Sequence, residues 1–424
     1  FKPKTSVKRM KSHRLYLGRI VDPHSGETID EVLLCSMRAP RSFTRQDVVE
    51  INTHSGYLLI SKILRLIMSF GVRQAEPGEF TLRAFLNGRI DLTQAEAVVD
   101  LINSRSERGL GMAALQMKGT LGEEIRSLRD QVLELAAHVE TAIDFPEEDA
   151  DIMPRDRLAE EAEGRLMPRL QALISSGGRN RVWIDGVNTV LAGCVNVGKS
   201  SVLNLLLEEP RAIVTSTPGT TRDVIESVVS IDGLPLKLAD TAGFRRPQDE
   251  AEMLGIRFTR RRLQDADLAL VVLDGSRALE QGDLAVIDLC EDKTTLVIIN
   301  KSDLPPVLDE EAIARSHPHL PVVTISARTG SGLDLLRSAI VRTVTENEMD
   351  SSFSGAALNA RHLDALESAA GFLGAAAAVS RQGAPMEIIA SELSSCVDKL
   401  GEITGENTGT DLLDRIFSRF CLGK

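Results

Sequence analysis

Residues 193–200 read Gly-Cys-Val-Asn-Val-Gly-Lys-Ser, and further along the chain stands Asn300-Lys301-Ser302-Asp303. The first string fits the phosphate-cradling pattern G-x-x-x-x-G-K-[ST]. Phosphates need backbone N–H donors that approach closely and a helix N-terminus that favours negative charge. Gly193 and Gly198 permit the approach, Lys199 supplies a point charge, and Ser200 offers a hydroxyl to Mg2+. The second string is the N-K-x-D pattern of guanine recognition. Asp303 would accept two hydrogen bonds from a guanine edge, which adenine does not offer, so GTP rather than ATP is the expected ligand.

Three more strings fall in the order such a site requires. Asp240-Thr241-Ala242-Gly243 matches D-x-x-G, in which the aspartate works on Mg2+ and the glycine N–H meets the γ-phosphate. Gly219-Thr220-Thr221-Arg222-Asp223 lies where a switch loop belongs, with Thr221 the candidate to close over Mg2+. Ser326-Ala327-Arg328 fits the loop that supports the base. One absence is informative. Where Ras-like GTPases place a glutamine to orient the attacking water, this chain has Phe244, which cannot hydrogen-bond water. Hydrolysis must recruit another polar group. Glu252, eight residues on, is the first choice, with Glu250 and Asp249 behind it, and Arg245 and Arg246 remain candidate arginine fingers.

These strings need strands and helices to position them. From residue 182 the pattern is strand–helix alternation. Short apolar runs at Val187–Ala192, 268–273, 296–299 and 321–325 read as buried parallel strands of a doubly wound α/β domain ending near residue 342. Residues 1–88 read as β-rich, with strands near 15–20, 32–37 and 48–51 and one helix at 56–69. At Asp91-Leu92-Thr93-Gln94 a capping box opens a helical region, and Leu121, Ile125, Leu128, Val132, Leu135 and Val139 form one apolar stripe. Polar residues 146–151 break it, a further helix runs to about 173, and Gly177-Gly178 reads as a flexible break. Residues 359–420 are helical again. The simplest architecture inserts the α/β domain between two halves of one helical domain.

The whole chain has 424 residues, 43% apolar and 26% charged, the balance of a globular protein of several domains. No unbroken apolar run is long enough to span a membrane, and no charged-then-apolar leader opens the chain, so the expected compartment is the cytoplasm. Five cysteines without a C-x-x-C pair suit a reducing compartment and argue against a disulfide framework or a zinc site. The net charge of -12 argues against a protein that holds nucleic acid by overall phosphate neutralisation. RNA binding must use a local patch or a partner. The first twenty residues carry seven Lys or Arg and no acid, which reads either as exposed strand ends or as such a patch.

Further strings carry a resemblance. Pro77-Gly78-Glu79-Phe80-Thr81, Arg83-Ala84-Phe85-Leu86-Asn87-Gly88-Arg89 and Asp91-Leu92-Thr93-Gln94-Ala95-Glu96-Ala97 look like the signature of the MnmE (TrmE) tRNA-modification GTPases. Ala142-Ile143-Asp144-Phe145-Pro146, Asn359-Ala360-Arg361-His362 and the terminal Cys421-Leu422-Gly423-Lys424 are similar to other strings of that family. The resemblance runs through essentially the whole chain. It implies an α/β + α + β multidomain fold: a P-loop doubly wound G domain (186–343) inserted into a helical domain (89–185 and 344–424), preceded by a β-rich folate-binding and dimerisation domain (1–88). It implies a homodimer that works with a FAD-dependent partner of the MnmG (GidA) type on tRNA. Together they would install an aminomethyl-type group, such as carboxymethylaminomethyl, at C5 of the wobble uridine, with a 5-formyl- or methylene-tetrahydrofolate supplying the carbon.

The resemblance also implies hydrolysis that depends on potassium, a cation able to neutralise developing charge as an arginine would. Asn196 matches the potassium ligand, and Thr215, Thr217 and Thr220 sit in the loop that completes that site, Thr217 through its backbone. Mg2+ falls to Ser200 and Thr221, and Glu252 matches the water-orienting glutamate. The nucleotide set comprises Asn196, Val197, Gly198, Lys199, Ser200, Ser201, Thr215, Ser216, Thr217, Pro218, Gly219, Thr220, Thr221, Asp240, Thr241, Ala242, Gly243, Asn300, Lys301, Ser302, Asp303, Ser326, Ala327 and Arg328. For folate the match falls on Glu50, Arg89 and Lys424. The family's early glycine-rich segment with its arginine contact is not found ahead of Phe1, so part of that site is expected outside this sequence. Cys421 is a candidate catalytic thiol near the folate, and Gly423 and Lys424 make prenylation a poor alternative. Cys194-Val195 replaces the family's usual Arg-Pro and supplies no required side chain.

Two other functions compete. A ribosome-assembly GTPase would share the potassium-type G domain, but no G-x-x-G within a ββα pattern follows that domain here. A nucleotide-switched scaffold would carry no chemistry of its own, and modified tRNA separates it from the enzyme.

Overall fold

The computed structural model describes residues 1–3, 10–104, 106–144, 153–207, 227–238, 263, 266–345, 357–418, 420 and 423. By its contacts the chain divides into two compact units. One comprises Phe1–Val99, Gln116–Met167 and Ala365–Lys424, and the other Asp100–Leu115 and Pro168–Asp364.

In the first unit, alternating apolar residues and turn-forming Pro, Gly and Asp produce four antiparallel strands. β1 (Lys2–Pro3), β2 (Leu15–Val21), β3 (Thr28–Met37) and β4 (Val48–Asn52) pair in that order. Helix Tyr57–Met68 lays Ile63 against Ile20 and Val32 of the sheet. The helical part of this unit begins at Asp91 with a reciprocal cap. The Gln94 backbone N–H donates to Asp91 Oδ1 (3.0 Å), and the Asp91 N–H donates to Gln94 Oε1 (3.0 Å). Helix Thr120–Asp144 buries its predicted stripe, Leu121 to Val139 at helical spacing. It packs along helix Met386–Thr404, whose Ile389, Leu393, Cys396 and Leu400 are fully buried. The last helix, Thr410–Phe417, brings Phe417, followed by Phe420, into a cluster with Leu92, Ala95 and Val98. Helix Ala360–Arg381 is long and apolar enough to cross a membrane by composition alone. Leu366, Ala369, Leu373, Ala376 and Ala377 are nevertheless buried in protein, as in a core helix.

The second unit is built on a six-stranded sheet. β5 (Val187–Ala192), β6 (Ser227–Ile231), β7 (Leu234–Leu238), β8 (Leu268–Asp274), β9 (Thr294–Asn300) and β10 (Val322–Thr324) take the order β10-β9-β8-β5-β7-β6. All neighbours are parallel except β6, which runs antiparallel to β7. β8 is buried along its whole length because both sheet faces are covered. One face carries helices Lys199–Leu207 and Leu333–Val344 through Leu203, Leu206, Leu336 and Ile340. The other carries Gln281–Leu289 and Glu310–Ser316 through Val286, Ile287 and Ile313.

One expectation from the sequence is corrected. Gly177-Gly178 is not a break but lies inside helix Met167–Asn180. The reason is packing. A Cβ on Gly177 would sit 2.2 Å from Leu358 Cγ, and the Gly177 carbonyl accepts a hydrogen bond from the Leu358 N–H (3.1 Å). Glycine is there for close approach of another segment. Two magnitudes therefore oppose each other in Gly177→Ala: a helix-propensity gain of about 1 kcal/mol and an overpacking cost of about 1–3 kcal/mol. The variant should show a lower denaturation midpoint than the parent, with a net loss of about 1 kcal/mol. An equal or higher midpoint would show that Leu358 yields without cost.

Candidate nucleotide site

The site forms where the sheet's central strand ends. β5 stops at Ala192, the loop 193–198 turns, and helix Lys199–Leu207 begins. Two glycines are demanded by what lies behind the loop. Gly193 has φ 144°, and a Cβ there would lie 2.4 Å from the Val272 carbonyl oxygen on β8. Gly198 has φ 99°, and a Cβ there would lie 2.2 Å from Asn300 Nδ2. Asn196 adopts a left-handed φ of 64°, which asparagine tolerates better than most residues, and its side chain is exposed. Lys199 Nζ donates to the carbonyls of Gly193 (2.8 Å) and Cys194 (2.6 Å). Burial lowers its pKa. Ser200 and Ser201 stand exposed in the first helical turn, and Val197 is fully buried beneath the loop.

The second part of the site comes from the end of β9. Asn300 is 2% exposed, and both ends of its amide are used. Nδ2 donates to the Val197 carbonyl (3.0 Å), and Oδ1 accepts from the Ala327 N–H (2.9 Å). One side chain thus joins the phosphate loop, the N-K-x-D loop and the Ser326-Ala327-Arg328 loop. Lys301 follows with φ 68° and donates through Nζ to Asp274 Oδ2 (2.5 Å) at the end of β8. Burial pushes the Asp274 carboxyl up, but hydrogen bonds from Lys301 and Ser276 outweigh it and hold the group below its usual value. Ser302 donates its N–H to the Ile325 carbonyl (3.1 Å). Asp303 Oδ1 accepts from the buried Ser326 hydroxyl (2.6 Å), which keeps its carboxyl ionised below the usual carboxylate range. Arg328 Nη1 lies 3.9 Å from Asp303 Oδ2. The carboxylate is oriented and charged, as an acceptor for a guanine N–H pair must be.

Of the other expected residues, Thr215, Ser216, Thr217, Pro218, Gly219, Thr220, Thr221, Asp240, Thr241, Ala242, Gly243, Glu252, Cys421 and Lys424 lie outside the described residues. Glu50 is exposed on β4, paired in register with Cys35. Arg89 lies against the loop after β3, donating to the Ser42 carbonyl (3.0 Å) with its guanidinium 4.8 Å from the Phe43 ring centre. Sequence reasoning missed Asp274, the partner of Lys301, and the Asp283–Arg277 pair behind the phosphate loop (2.9 Å). The Asp274-Gly275-Ser276 turn closing an all-apolar strand was the available signal for the first.

An α/β unit with this loop, joined through one amide to a guanine-recognition string, defines a GTP hydrolase built on a G domain. Residues 2–89 match the family model for the GTP-binding protein TrmE N-terminus, and residues 92–421 match that for the MnmE helical domain. A tRNA modification GTPase MnmE of Geobacter metallireducens is 46% identical over 415 residues, covering 97% of this chain and 90% of its own length. One from Geobacillus thermodenitrificans is 42% identical, covering 99% and 90%. Among solved structures, the G domain of the T. maritima FeoB iron transporter covers 37% of this chain and 98% of its own at 27% identity, with a TM-score of 0.27. The chain belongs to the MnmE (TrmE) family of tRNA modification GTPases. It is a GTP hydrolase of a family whose members are tRNA modification GTPases.

Cys194 lies at the start of the phosphate loop, and the geometry shows what its thiol does there. Burial, and then a hydrogen bond to Asp283, push it up to about 11. A raised thiol pKa means a protonated, unreactive sulfur at neutral pH, with thiolate appearing only as pH climbs towards that value. Iodoacetamide labelling of Cys194, followed by peptide mass spectrometry, should therefore rise with a midpoint about 2 units above the ordinary 9. Rapid labelling at pH 8 would contradict this environment.

Proposed function

We propose that this chain hydrolyses GTP with a potassium ion in the place of a catalytic arginine, and that the hydrolysis drives modification of the tRNA wobble uridine. In this reading residues 186–343 are the G domain, 89–185 and 344–424 the helical domain, and 1–88 the folate-binding and dimerisation domain of a cytoplasmic homodimer. The observation that carries it is Asn196, an exposed amide held in a left-handed turn of the phosphate loop. A side-chain carbonyl there is a hard oxygen donor suited to an alkali cation beside the phosphates. Asn196 would hold potassium together with the loop of Thr215, Thr217 and Thr220, and the cation would neutralise charge developing between the phosphates. Ser200 and Thr221 would hold Mg2+. Glu252 would orient the water that Phe244 cannot.

The rest of the reaction falls to the other domains and a partner. A FAD-dependent protein of the MnmG type would share the chemistry at C5 of the uridine. A 5-formyl- or methylene-tetrahydrofolate would supply one carbon, bound by Glu50, Arg89 and Lys424, with Cys421 beside it. Glu50 can accept from a pterin N–H edge, and Arg89 suits an anionic glutamyl tail. The exposed guanidinium of Arg89 has donors beyond the one spent on Ser42, which supports that role.

The test is reconstitution of the full chain with the flavoprotein, methylene-tetrahydrofolate, GTP and substrate tRNA, in potassium or in sodium. Mass spectrometry should show a wobble-uridine adduct formed in potassium at a rate about 100-fold above that in sodium, with Asn196→Ala removing the difference. No adduct in potassium would end the modification reading, and equal rates in both salts would end the potassium reading.

A further inference from the structure

In a chain of net charge -12, one surface of the first unit gathers cations without their counterions. His13, Arg41, Arg45 and Arg89 line an open hollow of about 580 Å³. A second hollow of about 460 Å³ adjoins it, sharing His13, Pro40 and Arg41 and adding Arg38. All five charged or titratable side chains are exposed. Among the described residues no carboxylate lies within 4.0 Å of the four guanidinium groups, whereas Arg73, Arg83, Arg126 and Arg181 are each paired with a carboxylate at 2.5–2.9 Å. The carboxylate of the same loop, Asp47, is turned onto the Ala39 N–H (2.8 Å).

The hollows are fixed by the fold. The His13 N–H donates to the Ser36 carbonyl (2.9 Å), and the Arg38 N–H donates to Ser12 Oγ (3.0 Å). Arg45 Nη1 donates to the Asn87 carbonyl (3.0 Å). His13 has φ 61° and Arg45 φ 56°. Only five described non-glycine residues have positive φ, and of the other three, Asn196 and Lys301 belong to the nucleotide site. Left-handed backbone at ordinary residues costs free energy and concentrates at functional sites. Between the arginines Phe43 is 39% exposed, with Arg89 stacked on it.

We propose that this surface binds the sugar-phosphate backbone of the substrate tRNA, with Arg38, Arg41 and Arg45 on phosphates and Phe43 as a stacking face for an unpaired base. The inference rests on the proposed tRNA role and adds Arg38, Arg41 and Arg45, which belong to neither the nucleotide nor the folate set, beside the Arg89 that the folate reading also uses. Guanidiniums without carboxylate partners, one of them held by the Asn87 carbonyl, match phosphate by forked hydrogen bonds. An exposed aromatic beside them matches single-stranded RNA, whose unstacked bases rest on such rings. A folate tail would occupy the Arg89 side, which leaves the three guanidiniums of Arg38, Arg41 and Arg45 as a repeated anion's complement. The acidity of the rest of the chain leaves attraction to RNA to a local patch of this kind.

The experiment measures tRNA binding by the nucleotide-free full chain across a series of salt concentrations, by fluorescence anisotropy. Arg38→Gln with Arg41→Gln should weaken binding about tenfold and reduce the slope of log K against log salt by about 1.5–2. Arg38→Lys with Arg41→Lys should keep most of the slope, and GTP hydrolysis and folate binding should stay at parental values. A control pair on other exposed arginines, Arg65→Gln with Arg157→Gln, should bind tRNA as the parent does. Equal losses in the control and test pairs would overturn the proposal, as would parental tRNA binding by the test pair. Loss of folate binding with tRNA binding intact would assign the hollows to the folate tail instead.

Discussion

A single buried amide holds the nucleotide site together. Asn300 ends β9, gives Nδ2 to the Val197 carbonyl and takes the Ala327 N–H on Oδ1. Its backbone carbonyl accepts from the Gly275 N–H (2.8 Å), so the turn after β8 is fixed to the same residue. Four segments that meet at the carboxyl end of the sheet are therefore held in one register. An aspartate could not donate to Val197, and an apolar residue would leave a buried carbonyl and N–H unpaired, each costing about 1–3 kcal/mol.

Much of the neighbouring sequence follows from that contact. Gly198 must be glycine because Asn300 Nδ2 occupies the place of a Cβ, and Gly193 because the β8 carbonyl of Val272 does. The phosphate-loop pattern is thus set from behind by packing as well as from in front by phosphate. Lys301 can turn left-handed after Asn300 because Asp274 anchors its ammonium, and Asp303 is aimed by Ser326 from the loop that Asn300 also holds. On the far side of the phosphate loop, Cys194 rests against helix Gln281–Leu289, where a Cβ at Gly282 would lie 3.3 Å from its Sγ, beside Asp283, which is itself capped onto the Glu280 N–H. Cys194 is thus a neutral contact behind the phosphate loop.

What the sequence made legible, and what it hid, divides by distance along the chain. Local signals were readable. Asp91 and Gln94 are three residues apart, and their reciprocal cap forms. The stripe of Thr120–Asp144 repeats at helical spacing and is buried, and the apolar runs before the phosphate and guanine strings are parallel strands. Contacts between distant residues were not readable. Gly177 looked like a hinge because glycine's usual local meaning is freedom, while here its meaning is the nearness of Leu358. The Cys194–Asp283 and Lys301–Asp274 contacts join residues that no local pattern relates. The cationic hollow is assembled from residues 13, 38–45 and 89, and none of the seven early lysines and arginines lines it.

If Asn300 is the shared tie, its loss should separate phosphate binding from guanine binding. Binding would then have to order two loops afresh, at about 1–2 kcal/mol for each residue refixed. The direct measurement is the dissociation constant for GDP of Asn300→Ala against the parent, with folding checked by circular dichroism. The account predicts a folded variant that binds GDP about 30- to 100-fold more weakly, a loss of about 2–3 kcal/mol. A folded variant with parental GDP affinity would contradict it.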